Sequence, residues 1–184
     1  MPRIQLPAEH EMTDAQRRVC EAAIAGRRGR VPAPLTAWLA SPEFAGRAQH
    51  LGEFLRYQTS LGPRLSELAI LVTARHWKAQ YEWFVHKSEA LKAGIDPAII
   101  DAIAQGRRPR FTLESDHVVY ELTRSVHETH EVAPELYQRA VAALGEPGVV
   151  ELVGLIGYYS LVAMTLNVFE IGVPPEAGIA PELE

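Results

Sequence analysis

Glu82 and His86 stand four residues apart in the stretch AQYEWFVHK, residues 79–87. On a continuous helix such residues lie side by side, with Cβ atoms roughly 5–6 Å apart. A carboxylate beside an imidazole is a general acid–base arrangement: the carboxylate orients the ring and raises its basicity, and the ring moves a proton near neutral pH. Tyr81, Trp83 and Phe84 share the same turn and a half, and Trp83 and Phe84 would take the pair out of water and shift both pKa values. The same spacing also describes a plain surface ion pair worth about 0.2–0.5 kcal/mol. Residue types alone leave both readings open.

Other polar residues are equally two-sided. Glu67 sits inside the apolar run LSELAILV, where it reads as a first-turn charge favoured by the helix dipole or as a further working carboxylate. His127 and His130 form H-x-x-H followed by Glu131, a possible metal set. That spacing is one residue short of H-E-x-x-H, and histidines near a helix C-terminus are accounted for by the dipole; no metal is expected. Arg75, His76 and Lys78 read as an exposed helix end. There is no G-x-S-x-G nucleophile turn and no glycine-rich phosphate loop.

The elements that must position these groups are helices, since 3.6-residue spacing dominates and no alternating strand pattern occurs. Thr13-Asp14 caps a helix running to about Gly26. Arg27 to Pro34 is a basic Pro/Gly-rich connection, read as a solvated loop or subunit contact. Leu35 to Leu39 forms a short helical turn. Ser41-Pro42 opens a helix reaching about Leu61, which Gly62-Pro63 breaks. Pro63 or Ser66 begins the next, with Leu65, Leu68, Leu71, Val72 and Ala74 as its buried stripe. Helical signal continues through Tyr81 to Ala93-Gly94, with a possible break around His76 to Ala79 that no glycine or proline marks. Asp96-Pro97 starts a short helix ended by Gly106 to Pro109. Thr112 caps LESDHVVYELTRSVHETH. Pro134 starts another helix, Gly145 to Gly148 is a turn, and a long apolar helix follows.

The chain has 184 residues, 47% hydrophobic and 22% charged, with a formal net charge of −5. These are the totals of one globular all-α domain, without a basic footprint for nucleic acid. Residues 1–62 read as an N-terminal helical extension, 63–173 as the core and 174–184 as a proline-containing extended tail. The single cysteine, Cys20, permits no internal disulfide. With no apolar signal core at the N-terminus, a cytoplasmic setting is expected. The uncharged run Leu152 to Phe169 lacks flanking Lys or Arg and contains Ser160, Thr165 and Asn167; it reads as a helix buried in a core or subunit interface rather than a membrane span.

The segment Glu67 to Ile95, with E-L-A-I-L, then Y-E-W-x-x-H, then A-x-x-A-G-I, resembles the carboxymuconolactone decarboxylase/alkylhydroperoxidase D-like family. The later VVELVGLIGYYSLVAMTLNVFE resembles the closing helix of that family's shorter members. The resemblance implies an all-helical bundle assembled as a homotrimer or homohexamer. In the family's peroxidase branch the redox set would fall on Glu67, Tyr81 and His86, with the two thiols at Ala79 and Glu82. Both thiols are missing, so peroxide and disulfide chemistry has no agent at those positions. The decarboxylase branch, which also carries a glutamate four residues before the histidine, implies a cofactor-free lyase acting on a small carboxylated lactone or related organic acid. On that pattern His86 carries the proton, Glu82 tunes it, and Glu67 and Tyr81 complete the relay. Arg75 is the candidate for holding the substrate carboxylate, with Trp83 and His127 as further pocket walls. The alternative is a non-catalytic oligomer that binds a small molecule.

Overall fold

The computed structural model of the chain describes residues 2–174, 177, 182 and 183. After a single 3₁₀ turn at Glu9–Glu11, eight helices follow: α1 (Asp14–Ala25), α2 (Leu35–Trp38), α3 (Pro42–Tyr57), α4 (Gly62–His76), α5 (Gln80–Lys92), α6 (Pro97–Ala104), α7 (Glu114–Glu128) and α8 (Pro134–Val168). No strand occurs among the described residues.

α4 is the central helix, packed against α5, α7 and α8 and also meeting α3 and α6. It carries an unbroken buried run from Ser66 to Ala74, so apolar side chains face neighbours all round rather than on one stripe. Trp83, Ile100, Val118, Leu122, Leu152 and Leu155 close the core from the surrounding helices. α1 packs on α3, and α2 packs on α3 and also meets α8, where Trp38 donates to the Thr165 hydroxyl at 2.9 Å. The most apolar window of α8 has a mean hydropathy of 1.8 and is 56% buried against the other helices, as suits a core helix.

Local chemistry sets most helix ends. Thr13 accepts from the Gln16 amide, and the Gln16 side chain returns to the Thr13 amide at 2.9 Å, a reciprocal cap. Asp96 accepts from the Ala98 amide at 2.8 Å ahead of Pro97. Gly94, at φ +83, stops α5, with the Ile95 amide bonded back to the Ala90 carbonyl.

Three ends differ from the sequence expectation. α3 stops at Tyr57, four residues early, and Gly62-Pro63 forms the first turn of α4 rather than only a break. Thr112 does not cap α7: Leu113 holds the cap position, without a side-chain bond. The expected turn at Gly145 to Gly148 is confined to Gly145 (φ 72, ψ 163), which kinks α8 while Pro147 lies within its second half. The expected break between α4 and α5 is real. It is made by Trp77 to Ala79, with Lys78 at φ 50, and is closed by the Ala79 amide on the Ala74 carbonyl and by Asn167 donating to the Trp77 carbonyl at 2.8 Å. Much of the expected tail, 175–176, 178–181 and 184, lies outside the described residues. Glu182 and Leu183 return to α5, where Gln80 bonds the Leu183 carbonyl and both their amides.

Candidate active site

The corner at Trp77 to Ala79 folds α5 back along α4 and sets His86 opposite Glu67. His86 Nδ1 and Glu67 Oε2 are 2.6 Å apart, although the residues are 19 positions apart in the chain. The hydrogen bond that orients the imidazole therefore comes from Glu67, not from Glu82, the helical neighbour. Glu67 lies in the second turn of α4, whose first turn holds no acid, so the first-turn dipole role does not describe it. Arg56, from the last turn of α3, places its guanidinium 3.6 Å from the other Glu67 oxygen. With Glu67 a carboxylate, the neutral ring carries its proton on Nδ1 and leaves the Nε2 lone pair for another partner.

His86 lies on the wall of a cavity of about 290 Å³. Glu82 and Tyr81 of α5, Tyr158 and Tyr159 of α8, Arg56 of α3 and Arg28 of the connection after α1 share that wall. Tyr159 stands edge-on to His86, ring centroids 5.0 Å apart, and Tyr158 stands edge-on to Tyr159. Gly52 on α3 lets Tyr158 in: a Cβ there would lie 2.0 Å from the tyrosine hydroxyl. A second hollow of about 470 Å³ abuts the first across Arg56 and Tyr57, and Glu67 lies on its wall.

Burial dominates the electrostatics. Glu82 is 2% exposed, and desolvation, reinforced by the Glu67 charge, holds its pKa well above the ordinary carboxylate range. Burial therefore favours its protonated form. For His86, 5% exposed, burial lowers the pKa, Glu67 opposes the shift by charge and hydrogen bond, and Arg56 and Arg28 lower it further. The ring is a neutral base. Burial also raises the Tyr159 hydroxyl well above its usual value, so it stays a neutral donor.

Both Glu82 oxygens, Arg28 Nε, Arg56 Nε and the Tyr158 hydroxyl are buried without a hydrogen-bond partner. Arg28 lies beside the Tyr158 hydroxyl, lowering its pKa against the burial effect, but lacks the geometry of a full hydrogen bond. Folded proteins leave few such atoms. Here five of them belong to residues on one cavity wall, and they offer donors and an acid to a polar guest.

Among the residues singled out by sequence, Glu67, Tyr81, Glu82 and His86 come together. Trp83 packs behind the site, 1% exposed, and donates to Glu182 at 3.2 Å instead of facing the cavity. Arg75 and His127 line a different hollow beyond the other end of α4. The cationic groups on the wall of the His86 cavity are Arg27, Arg28, Arg30 and Arg56, and none of them was singled out as a site residue; Arg28 and Arg56 are the two with a buried, unpartnered Nε. The sequence marks Arg28 only as part of a basic cluster in a connection and gives no sign that Arg56 turns inward. His127 meets Thr73 through Nε2, while His130 meets the Val126 carbonyl through Nδ1, so the H-x-x-H pair diverges. No cluster of three or more potential metal ligands occurs among the described residues. Cys20 is buried on α1, where desolvation raises its thiol pKa, and it lines neither hollow.

No protein-family model matches the chain, and no curated protein matches it. Solved structures do. One is ATU0492 from Agrobacterium tumefaciens, a protein of unknown function provisionally described as an antioxidant defence protein AhpD. It is 16% identical, with a TM-score of 0.67, over 75% of this chain and 95% of that one. Another is a cysteine-to-alanine variant of the debrominase Bmp8 in complex with 2,3,4-tribromopyrrole, 13% identical with a TM-score of 0.70 over 95% and 94% of the two chains. The fold is thus the all-helical AhpD-like fold, in a chain whose corner from α4 into α5 carries a glutamate–histidine couple.

Proposed function

We propose that the protein is an enzyme that uses acid–base catalysis, independent of a cofactor, on a small organic acid, of which a carboxylated lactone is the first candidate. The observation that carries this reading is the Glu67–His86 hydrogen bond on the wall of a cavity where Arg28, Arg56 and the buried Glu82 have unspent polar atoms. A protein of similar fold, the debrominase Bmp8, is known in complex with 2,3,4-tribromopyrrole, which supports this fold as one that can hold a small ring for chemistry.

In a decarboxylation the guanidinium groups of Arg28 and Arg56 hold the substrate's oxygens. The electron pair of the breaking C–CO₂ bond passes into the conjugated carbonyl of the substrate. Glu82 in its protonated form gives its proton to the carbon that lost CO₂, and His86, held by Glu67, takes a proton from solvent water and passes it to Glu82, so that one proton is consumed for each CO₂ released. This exchanges the roles that the helical spacing suggests: Glu82 is the acid and His86 the base. Self-association is part of the same reading, supported by an exposed apolar edge on α8 that includes Val150, Val153, Met164 and Val168. So is a cytoplasmic setting.

The test is proton NMR in D₂O of the purified protein with a panel of carboxylated lactones. Turnover with deuterium placed at the former carboxyl-bearing carbon is expected, with a loss of at least about 100-fold in His86→Asn and Glu67→Gln. Turnover at the wild-type rate in both variants would overturn the roles, and binding without turnover across the panel would favour a small-molecule carrier.

A further inference from the structure

The hollow that takes Arg75 and His127 away from the first site is itself built like a site. It has a volume of about 130 Å³ and shares no wall residue with the His86 cavity. α4 supplies Arg75 and His76, the connection after α6 supplies Arg107 and Arg108, and α7 supplies Arg124 and His127. We propose that this hollow binds a free tetrahedral oxyanion of the phosphate or sulfate class.

Charge comes first. Four arginines face the hollow and one carboxylate, Glu128, shares its wall. Glu121, behind it, lies 3.7 Å from both Arg108 and Arg124, and Glu128 lies 3.1 Å from Arg124. Among the described residues, Arg107, Arg108 and Arg124 thus outnumber the two carboxylates Glu121 and Glu128, which leaves an excess of positive charge in a chain of net charge −5. Among the described residues Arg107 bonds a neutral amide, Gln105, at 2.9 Å, and no carboxylate. Guanidinium forks match oxyanion geometry.

Shape comes second. The volume equals that of roughly four waters in the liquid and is less than half that of the His86 cavity. Gly106, at φ +66, keeps the hollow open on one side: a Cβ there would stand 3.3 Å from an Arg75 terminal nitrogen.

Proton coupling comes third. The rings of His76 and His127 stack, centroids 4.4 Å apart and 15° from parallel. Thr73 donates its hydroxyl to the Ala69 carbonyl, so toward His127 Nε2, 3.1 Å away, it can only accept. His127 therefore carries its proton on Nε2 and has Nδ1 free to take another. Burial and the neighbouring His76 and His130 hold that second protonation down, to a pKa of about 4. An anion seated beside the two rings favours the protonated form.

The experiment follows the imidazole signals of the full-length protein by NMR while inorganic phosphate or sulfate replaces chloride at constant ionic strength. Saturable shifts at His76 and His127, absent at His86, are expected, together with a His127 titration that moves upward when phosphate is present. Arg107→Gln with Arg124→Gln is expected to weaken binding at least about tenfold while the melting curve stays cooperative. Should the double variant fold poorly, Arg107→Gln alone, on an exposed residue, gives a smaller loss in the same direction. Shifts that chloride reproduces, that never saturate, or that survive both substitutions unchanged would overturn the site. None of these readouts depends on turnover at His86.

Discussion

A carboxyl group that is 2% exposed and without a hydrogen-bond partner holds its proton more tightly than a solvated one, and in Glu82 that has a measurable cost. Its folded pKa stands above the ordinary 4.5. The stability it contributes is full below about pH 4.5 and is lost as pH rises toward and through the folded value, by about 1.4 kcal/mol per pH unit inside that window. Glu82→Gln keeps the shape and removes the titration. Denaturant midpoints measured across a pH series should fall on the alkaline side for the wild type and stay flatter for the variant. Parallel curves would mean that Glu82 is ionised in the folded protein. At this scale the sequence offered the right residue types with the wrong pairing. An i, i+4 contact can be read from spacing, whereas the Glu67–His86 contact needs the corner between two helices. Arg28 and Arg56 were illegible for a related reason: charged residues are ordinarily solvated, and only packing turns them inward.

Helices whose ends are written in local chemistry could be read directly: Thr13, Ser41-Pro42, Asp96-Pro97 and Pro134 each precede or open the expected helix. The turn between α4 and α5 could be suspected but not located, because Lys78 takes a positive φ that tertiary bonds enforce rather than glycine. Gly52 was invisible as a packing device, since its role is defined by Tyr158, 106 residues away on α8. Gly52→Ala should destabilise the protein by about 1–3 kcal/mol, because the added methyl group displaces a packed ring, outweighing the helix propensity gained. Chemical denaturation measures it, and Gly52→Ala combined with Tyr158→Ala should show a coupling of at least about 0.5 kcal/mol. On α5, Gln80→Ala removes all three bonds that Gln80 makes to the returning tail. Hydrogen exchange at Leu183 should then quicken while the core amides of α4 keep their protection; an unchanged Leu183 would show that its buried side chain alone holds the tail.

For the whole molecule, the all-helical class and the AhpD-like fold were legible because the Glu67 to Ile95 segment and the closing helix carry them. Separation of the two hollows was not, since Arg75 stands between Glu67 and His86 in sequence yet faces elsewhere. Stability should also fail on the acid side. His86 and His127 have folded pKa values below 6.5, His127 at about 4, so their contribution is present above 6.5 and is lost as pH falls through the folded values. Thermal unfolding between pH 7 and pH 4 should show the loss, lessened in His127→Gln. Native mass spectrometry tests the proposed self-association: a trimer or hexamer is expected, and Val153→Glu on the exposed edge of α8 should shift it toward monomer.

The seat of Tyr158 over Gly52 has a consequence for how this chain can vary. The two positions are not independent letters. Any residue larger than glycine at 52 claims the space of the phenol, and any change that restores that space also removes a hydroxyl from the cavity wall. Across chains that keep this architecture the pair should change together or not at all, and a chain that has lost the glycine will have a differently shaped guest.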